Sequence, residues 1–135
     1  MQLIAKTPIH PTEDKAKVQQ CFQNIFGKIF QFEEKQEITS MYLIVTASKR
    51  EVLDIIFKKL RSERILDSAR KILLRNMTED SVTFFLNKQA AFMGRIHFVT
   101  DPEQEDFLGP ISITITSEDI QKLIDWLTLL NSKTN

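Results

Sequence analysis

The alternation in residues 111–117, ISITITS, constrains the fold of this chain more tightly than any other segment. Isoleucine and hydroxyl residues alternate along it: Ile111, Ile113 and Ile115 against Ser112, Thr114 and Thr116. Successive side chains of a β-strand point to opposite faces, so the pattern predicts a strand with one buried face and one polar face. A sheet with a single apolar face needs a second layer to cover it. The rest of the chain must therefore supply that layer.

Apolar residues at helical spacing provide the first part of this layer near the N-terminus. The stripe consists of Val18, Cys21, Phe22, Ile25 and Phe26. We expect Thr12 to cap this helix, Glu13 and Asp14 to lie in its first turn, where they suit the helix dipole, and Gly27 to end it.

Three further stripes predict helices over residues 49–60, over residues 63–76 and near the C-terminus. Hydroxyl residues are the expected caps of the last two: Ser62, and Ser117 or Thr116. Asn76 is the expected end of the helix over 63–76, and Leu130 is expected on the buried face of the last helix.

Period-two patterns predict strands over residues 30–33, 81–87 and 95–99, and residues 2–9 are expected to form a short strand. The nearly continuous apolar run over 38–46 predicts a more central strand. A hairpin turn is expected around residues 35–37. Several strands follow one another directly, so we predict an α+β fold with a mixed, mainly antiparallel sheet and helices packed on one face. The predicted order is β-α-β-β-α-α-β-β-β-α. Residues 1–135 are expected to form a single α+β domain, since no Gly- or Ser-rich linker interrupts them.

The composition excludes a membrane protein and a secreted one. No segment approaches the roughly 18 apolar residues that a membrane-spanning helix needs, and the N-terminal residues lack the pattern of a signal peptide. A single cysteine cannot form an internal disulfide, which fits a reducing compartment. We therefore expect a cytoplasmic protein with no membrane partner.

Motifs for catalysis or for a cofactor are absent from the sequence, which has no P-loop, GxGxxG, HExxH, GxSxG or CxxC pattern. Cys21 lies on an apolar stripe, which favours a packed, inert thiol. His97 has no further ligands at metal-binding spacing, and His10 in HPTED is accompanied only by Glu13 and Asp14. The prediction is a protein that is not an enzyme and that has no metal, cofactor or small-molecule substrate.

The formal net charge is zero, but the charges are unevenly distributed. Residues 49–99 carry 11 basic and 6 acidic side chains, whereas residues 100–135 carry 2 and 7. Wound as one helix, residues 61–75 align four cations along one edge, with two lysines before them: Arg61, Arg64, Lys71 and Arg75, after Lys58 and Lys59. Such an edge can follow a phosphate backbone, or it can be a solvated face in which Asp67 pairs with Lys71. The sequence leaves both interpretations open.

Four segments in this order resemble a family of small archaeal proteins of uncharacterised function: PTED, RILDSARKILLRN, FFLNKQAAFMGRIHF and LGPISITI. The resemblance extends from Pro11 to about Ile115, and the family is grouped with RNA-binding proteins and predicted exosome subunits. It implies a fold like that of a large-subunit ribosomal protein that contacts RNA. It also implies a homodimer, a cytosolic location and RNA binding, with no catalytic activity. The acidic segment DPEQEDF before LGPI departs from the family pattern.

The segment FFLNKQAAF, residues 84–92, places three long polar side chains between two apolar runs. They are Asn87, Lys88 and Gln89, at the expected end of the strand over 81–87. In one interpretation Asn87 and Gln89 satisfy open backbone groups. In the other, the three residues and Arg95 form a donor set for RNA. We favour the structural role for Asn87 and Gln89 and the RNA-binding role for Lys88.

These observations predict a non-enzymatic protein that binds structured RNA through a basic helix and a polar strand end. The candidate contacts are Lys58, Lys59, Arg61, Arg64, Lys71, Arg75, Asn87, Lys88, Gln89 and Arg95. The alternative is a homodimeric interaction or structural protein without direct nucleic-acid binding. For that alternative, the segment 111–116 is expected to pair with its copy across a two-fold axis.

Overall fold

The computed structural model describes residues 1–28, 42–102 and 109–133, together with the backbone of residues 35–38. Its strands form one sheet in the order β2-β3-β1-β6-β4-β5. The strands are β1 (Gln2–Pro8), β2 (Lys35–Ile38), β3 (Tyr42–Ala47), β4 (Ser81–Leu86), β5 (Phe98–Val99) and β6 (Ile111–Thr116). Every pairing between these described strands is antiparallel, in agreement with the expected mainly antiparallel sheet.

Five α-helices and a 3₁₀ turn are found in full among the described residues. They are α1 (Lys15–Phe26), the 3₁₀ turn (Arg50–Leu53), α2 (Asp54–Ser62), α3 (Leu66–Asn76), α4 (Lys88–Phe92) and α5 (Ile120–Thr128). Each helix contributes buried residues to a single core that also contains the inward side chains of the strands. The α+β fold with helices on one face is confirmed. None of the described helices is long and apolar enough to cross a membrane.

Strand β6 fulfils the prediction made from its alternating sequence. Ile111, Ile113 and Ile115 are fully buried. Ile113 lies opposite Ala5 of β1 and Phe84 of β4 in the sheet register. The isoleucines therefore form the centre of the core, while the hydroxyl residues between them lie on the face that carries none of the described helices.

The position of β6 corrects the expected mode of dimerisation. β6 is hydrogen-bonded to β1 on one side and to β4 on the other, so both of its edges are occupied. A strand whose edges are both paired cannot add a strand from a second copy. The expected pairing of this segment across a two-fold axis is therefore wrong. The strands at the two ends of the described sheet are β2 and β5.

Aspartates, rather than the expected hydroxyl residues, cap the first and last helices. The carboxylate of Asp14 accepts a hydrogen bond of 2.9 Å from the Ala16 N–H, so α1 starts two residues later than a Thr12 cap predicts. Asp119 accepts one of 3.0 Å from the Lys122 N–H at the start of α5. Gly27, with φ 79°, ends α1 as predicted. Beyond the end of α5, Leu130 is 77% exposed and is not part of its buried face.

The predicted helix over residues 63–76 begins late, because α2 ends in a Schellman motif. The Ile65 N–H donates to the Leu60 carbonyl at 3.0 Å, and the Arg64 N–H donates to the Arg61 carbonyl at 3.1 Å. Arg64 adopts the left-handed conformation that this motif requires, with φ 58°. Ser62 is therefore the last residue of α2 and not a cap. The four cations predicted to align on one continuous helix are therefore separated. Arg61 lies on α2, Arg64 lies in the turn, and Lys71 and Arg75 lie on α3.

The remaining differences concern strand boundaries. Residues 35–37, the expected turn, belong to β2, which pairs with β3 over Lys35↔Thr46 to Ile38↔Leu43. The predicted strand over 95–99 shortens to β5, and a short helix, α4, precedes it. The predicted strand over 30–33 lies outside the described residues.

Candidate nucleic-acid interface

Lys88 is a buried residue that begins the helix directly after the end of β4. Asn87 caps α4 by accepting a hydrogen bond of 2.7 Å from the Ala90 N–H, so a helix begins where the strand was expected to end. Lys88 is only 5% exposed, and its Nζ donates to the Pro8 carbonyl at 2.7 Å and to Glu13 Oε1 at 3.1 Å. This placement corrects the expectation that Lys88 presents its ammonium group to a ligand.

The HPTED segment positions the carboxylate that pairs with Lys88. The Glu13 N–H donates to the His10 carbonyl at 2.8 Å, and the Glu13 carboxylate accepts a hydrogen bond of 2.8 Å from the His10 N–H. The two bonds form a closed turn before α1, which holds Glu13 toward α4. In the described part of the chain, no three His, Cys, Asp or Glu residues come close enough together to hold a metal ion.

Cys21 lies beside this ion pair as a packed thiol. It is 3% exposed, and its Sγ donates to the Lys17 carbonyl at 3.3 Å. Burial raises the pKa of the Cys21 thiol to about 11, with the nearby Lys88 ammonium opposing the shift and Glu13 adding to it. The thiol is therefore protonated at neutral pH, which agrees with the expected inert role.

Two further members of the predicted basic set are used within the fold. The Arg61 guanidinium lies 3.4 Å from the centre of the Phe57 ring and donates to the carbonyls of Phe57, Leu127 and Leu129 at 2.7–3.1 Å. Burial lowers the pKa of Arg61. Lys59 Nζ donates to the Gly94 carbonyl. These two cations hold α2 against the end of α5 and against the segment after α4.

Asn87 and Gln89, the amide neighbours of Lys88, have different environments. Asn87 acts as the cap of α4, so its expected structural role is confirmed. Gln89 lies in the first turn of α4 with an exposed side chain. The triplet thus contains a helix cap, a buried cation and a surface amide rather than one set of donors.

Five predicted cations remain on the surface: Lys58, Arg64, Lys71, Arg75 and Arg95. None of the five forms an ion pair with a described residue, because the two ion pairs of the described chain are Arg70–Asp125 and Lys88–Glu13. Lys71 and Arg75 lie one turn apart on α3, a separation of about 6 Å along the helix axis. The expected pairing of Asp67 with Lys71 is not formed. Lys71 and Arg75 of α3 are therefore open to solvent.

Arg70 is a cation that the sequence did not single out. Its guanidinium forms an ion pair of 2.8 Å with Asp125 and donates to the Thr128 Oγ1 at 3.2 Å, which joins α3 to α5. No local pattern could have shown this contact, because both partners lie far along the chain. Arg70, Arg61 and Arg64 together line a cleft between the α2–α3 turn and the end of α5.

The face of the sheet that carries no helix is partly apolar. Ile4 of β1 is 44% exposed and lies opposite Thr46 of β3 and Thr114 of β6. On the same face, Lys6 Nζ lies 4.1 Å from the centre of the Tyr42 ring. This face offers a surface for a partner that is separate from the cations of α3.

Comparison with known proteins agrees with the fold and identifies the family. A family model described as RNA binding matches residues 2–122. A UPF0201 protein of Sulfurisphaera tokodaii is 44% identical, over 98% of this chain and 90% of its own length. The crystal structure of a UPF0201 protein from Methanococcus jannaschii has a TM-score of 0.78 and 33% identity, over 100% of this chain and 96% of that one.

More distant structures share the fold alone. A DUF54 protein from Sulfolobus solfataricus has a TM-score of 0.67 at 18% identity, over 95% of this chain and 97% of that one. The family model and the relatives above 30% identity cover nearly the whole sequence. The chain belongs to the UPF0201 family of archaeal proteins.

Proposed function

We propose that this protein is a non-enzymatic, cytoplasmic RNA-binding protein that contacts the phosphate backbone of structured RNA through its exposed cations. The observation that carries the proposal is the set of five exposed cations without an ion-pair partner among the described residues. An exposed guanidinium or ammonium with no carboxylate at ion-pair distance can contact an external anion without first breaking an internal pair. The description of the matching family, RNA binding, supports the same class of ligand.

The arrangement on α3 suits a backbone contact rather than recognition of bases. Lys71 and Arg75 project from consecutive turns of one helix, so they can contact nearby phosphates of one strand. The deep, narrow major groove of A-form RNA is closed to side chains, which favours recognition by shape and backbone. The burial of Lys88 and the contacts of Arg61 with three carbonyls remove these two residues from the backbone-contact set. Arg64, Lys71 and Arg75 remain as its centre.

A salt titration tests this function directly. A stem–loop RNA is titrated with the protein at several concentrations of monovalent salt, and the logarithm of the association constant is plotted against the logarithm of the salt concentration. Contacts to three phosphates predict a negative slope of about 2 to 3, because each neutralised phosphate releases counterions. Affinity that does not change with salt, or no binding at micromolar protein, would contradict the proposal.

A second candidate function, an interaction protein that acts as a homodimer, is favoured by the open face of the sheet. A large aliphatic side chain that is 44% exposed at the centre of a sheet, as Ile4 is, suits contact with another protein surface. Sedimentation at several protein concentrations tests this candidate. A dimer that Ile4→Lys dissociates is the expected result, and a monomer at tens of micromolar would contradict it.

A further inference from the structure

A cleft of about 470 Å³ lies where the turn between α2 and α3 meets the chain that leaves α5. Three arginines contribute to its lining: Arg61, Arg64 and Arg70. Two leucines form an apolar part of its wall, and both are exposed, Leu129 to 44% and Leu130 to 77%. The cleft thus combines forked hydrogen-bond donors with an exposed aliphatic surface.

The charges around the cleft leave a surplus of positive charge. The hydrogen bonds that the Arg61 guanidinium donates to described residues go to carbonyl oxygens, which carry no net charge to offset its own. Arg64 has no ion pair with a described residue, whereas the charge of Arg70 is offset by Asp125 at 2.8 Å. Asp67 also lines the cleft and opposes an anion there. Three guanidinium groups against two carboxylates leave one net positive charge.

The start of α3 adds neutral donors to the same place. Ile65, which precedes the helix, provides no capping side chain. Among the described residues no hydrogen-bond acceptor is found for the N–H groups of residues 66–68. Such groups at a helix start favour an anion, and here they accompany the arginines rather than act alone.

Arg64 occupies the one position in this turn where a side chain is costly. Its left-handed backbone is the conformation that glycine adopts without strain, and a non-glycine residue there loses roughly 1 kcal/mol. The Schellman motif fixes this backbone through the two hydrogen bonds of Arg64 and Ile65. The guanidinium of Arg64 is therefore carried on a rigid turn at the edge of the cleft.

We propose that this cleft binds a phosphomonoester, the terminal phosphate of an RNA strand, with Arg64 as its principal ligand. The choice of RNA as the source of the phosphate rests on the proposed function. A phosphomonoester offers three terminal oxygens and up to two charges, whereas an internal phosphodiester offers two oxygens and one charge. The donors of the cleft come from the turn that carries Arg64, from the start of α3 and from the neighbouring helix. Donors in three directions match the three oxygens of a terminal phosphate. Leu129 and Leu130 lie where the terminal nucleoside would pack, and the strand then continues toward Lys71 and Arg75 on α3.

The test compares one stem–loop RNA with a short single-stranded overhang in three forms: 5′-phosphorylated, 3′-phosphorylated and unphosphorylated. Adenosine 5′-monophosphate and adenosine are titrated separately as probes that lack an RNA chain. The test variant is Arg64→Asn, because asparagine accepts the left-handed conformation while it removes the charge. The matched control is Arg95→Gln, which removes one exposed arginine outside the cleft. Thermal unfolding of both variants checks that they are folded.

We expect one phosphorylated RNA to bind about tenfold more tightly than the unphosphorylated form, as a bidentate, charge-assisted contact predicts. Arg64→Asn should remove the preference for phosphorylated over unphosphorylated RNA. Arg95→Gln should lower the affinity for all three RNAs by the same factor, so that this preference is unchanged. Adenosine 5′-monophosphate should bind to the wild-type protein, and adenosine should not.

The other outcomes separate the cleft from the proposed function. Equal binding of the three RNAs, with no binding of the mononucleotide, would overturn the cleft as a phosphomonoester site and leave RNA binding in place. Binding of the mononucleotide that Arg64→Asn removes, without binding of any RNA, would uphold the phosphomonoester site and overturn RNA as its source together with the proposed function. A preference for phosphorylated RNA that Arg64→Asn preserves would overturn the role of the cleft.

Discussion

Two groups of cations in this protein come from the same basic part of the sequence and differ in what they contact. Lys88, Arg61 and Lys59 direct their donors to carbonyl groups or to a carboxylate inside the fold. Lys71 and Arg75 lie on the surface of α3 and pair with no described residue. The surplus of basic residues over 49–99 therefore overstates the charge that a partner would meet. A basic sequence segment supports nucleic-acid binding only to the extent that its charges are not already used to stabilise the fold.

The largest effect on stability is expected at Lys88. Lys88→Met removes the ammonium and leaves the carboxylate of Glu13, which is 11% exposed, without its cation. Loss of one partner of a buried ion pair costs about 3–5 kcal/mol in the free energy of unfolding. Urea unfolding followed by circular dichroism measures the change. The double variant Glu13→Gln/Lys88→Met is the control and should recover part of the loss. A change below about 1 kcal/mol for Lys88→Met would show that the pair does not stabilise the fold.

A smaller loss is expected at Arg61, the cation that joins α2 to the end of α5. Arg61→Ala leaves the carbonyls of Leu127 and Leu129 without the guanidinium donor and removes the packing on Phe57. The unpaired, partly buried Leu127 carbonyl and the lost packing on Phe57 together predict a loss of about 2–3 kcal/mol in the free energy of unfolding. Thermal and urea unfolding measure this loss. The matched control is Arg64→Asn, which also removes one arginine and should lower the free energy of unfolding by less than about 0.5 kcal/mol. Equal stability of the two variants would remove the distinction between the two groups of cations.

The sequence predicted those parts of the fold that depend on repeated local patterns. The alternation over 111–116 and the apolar stripe from Val18 to Phe26 correspond to β6 and to the buried face of α1. The ends of elements were less predictable, because several residues compete to cap a helix. Thr12 was the expected cap of α1, but Asp14 caps it, after the turn that Glu13 makes with His10.

The candidate site was predictable in its residue types but not in its geometry. A helical wheel over residues 61–75 assumes one helix, and it fails because the chain turns at Arg64. Lys88 was expected on the surface because its partner Glu13 lies 75 residues away in the sequence. Contacts of this kind depend on tertiary packing, which no local pattern encodes. They decide which cations remain available to a ligand.

The two amide residues of the LNKQAA segment, Asn87 and Gln89, test the same distinction between a residue that stabilises the fold and one that is exposed on the surface. Asn87→Ala removes the cap of α4 and should lower the free energy of unfolding by about 1 kcal/mol. Gln89→Ala changes an exposed side chain in the first turn of the same helix and should change the free energy of unfolding by less than about 0.5 kcal/mol. Urea unfolding of both variants measures the difference. A loss at Gln89 as large as that at Asn87 would show that the segment stabilises the fold through more than its helix cap.

The smallest effect on stability, and the decisive effect on function, is expected on α3. Lys71→Gln/Arg75→Gln removes two exposed charges, and the free energy of unfolding should change by less than about 0.5 kcal/mol because neither residue pairs with a described side chain. If both cations contact phosphates, the dependence of log K on log salt for a stem–loop RNA should become less steep by about 2. The matched control is Lys15→Gln/Lys17→Gln, which removes two exposed charges from α1. The two double variants have the same net charge, so only a localised contact with α3 can make their slopes differ. An equal decrease in slope for both would show that RNA binding depends on total charge rather than on α3.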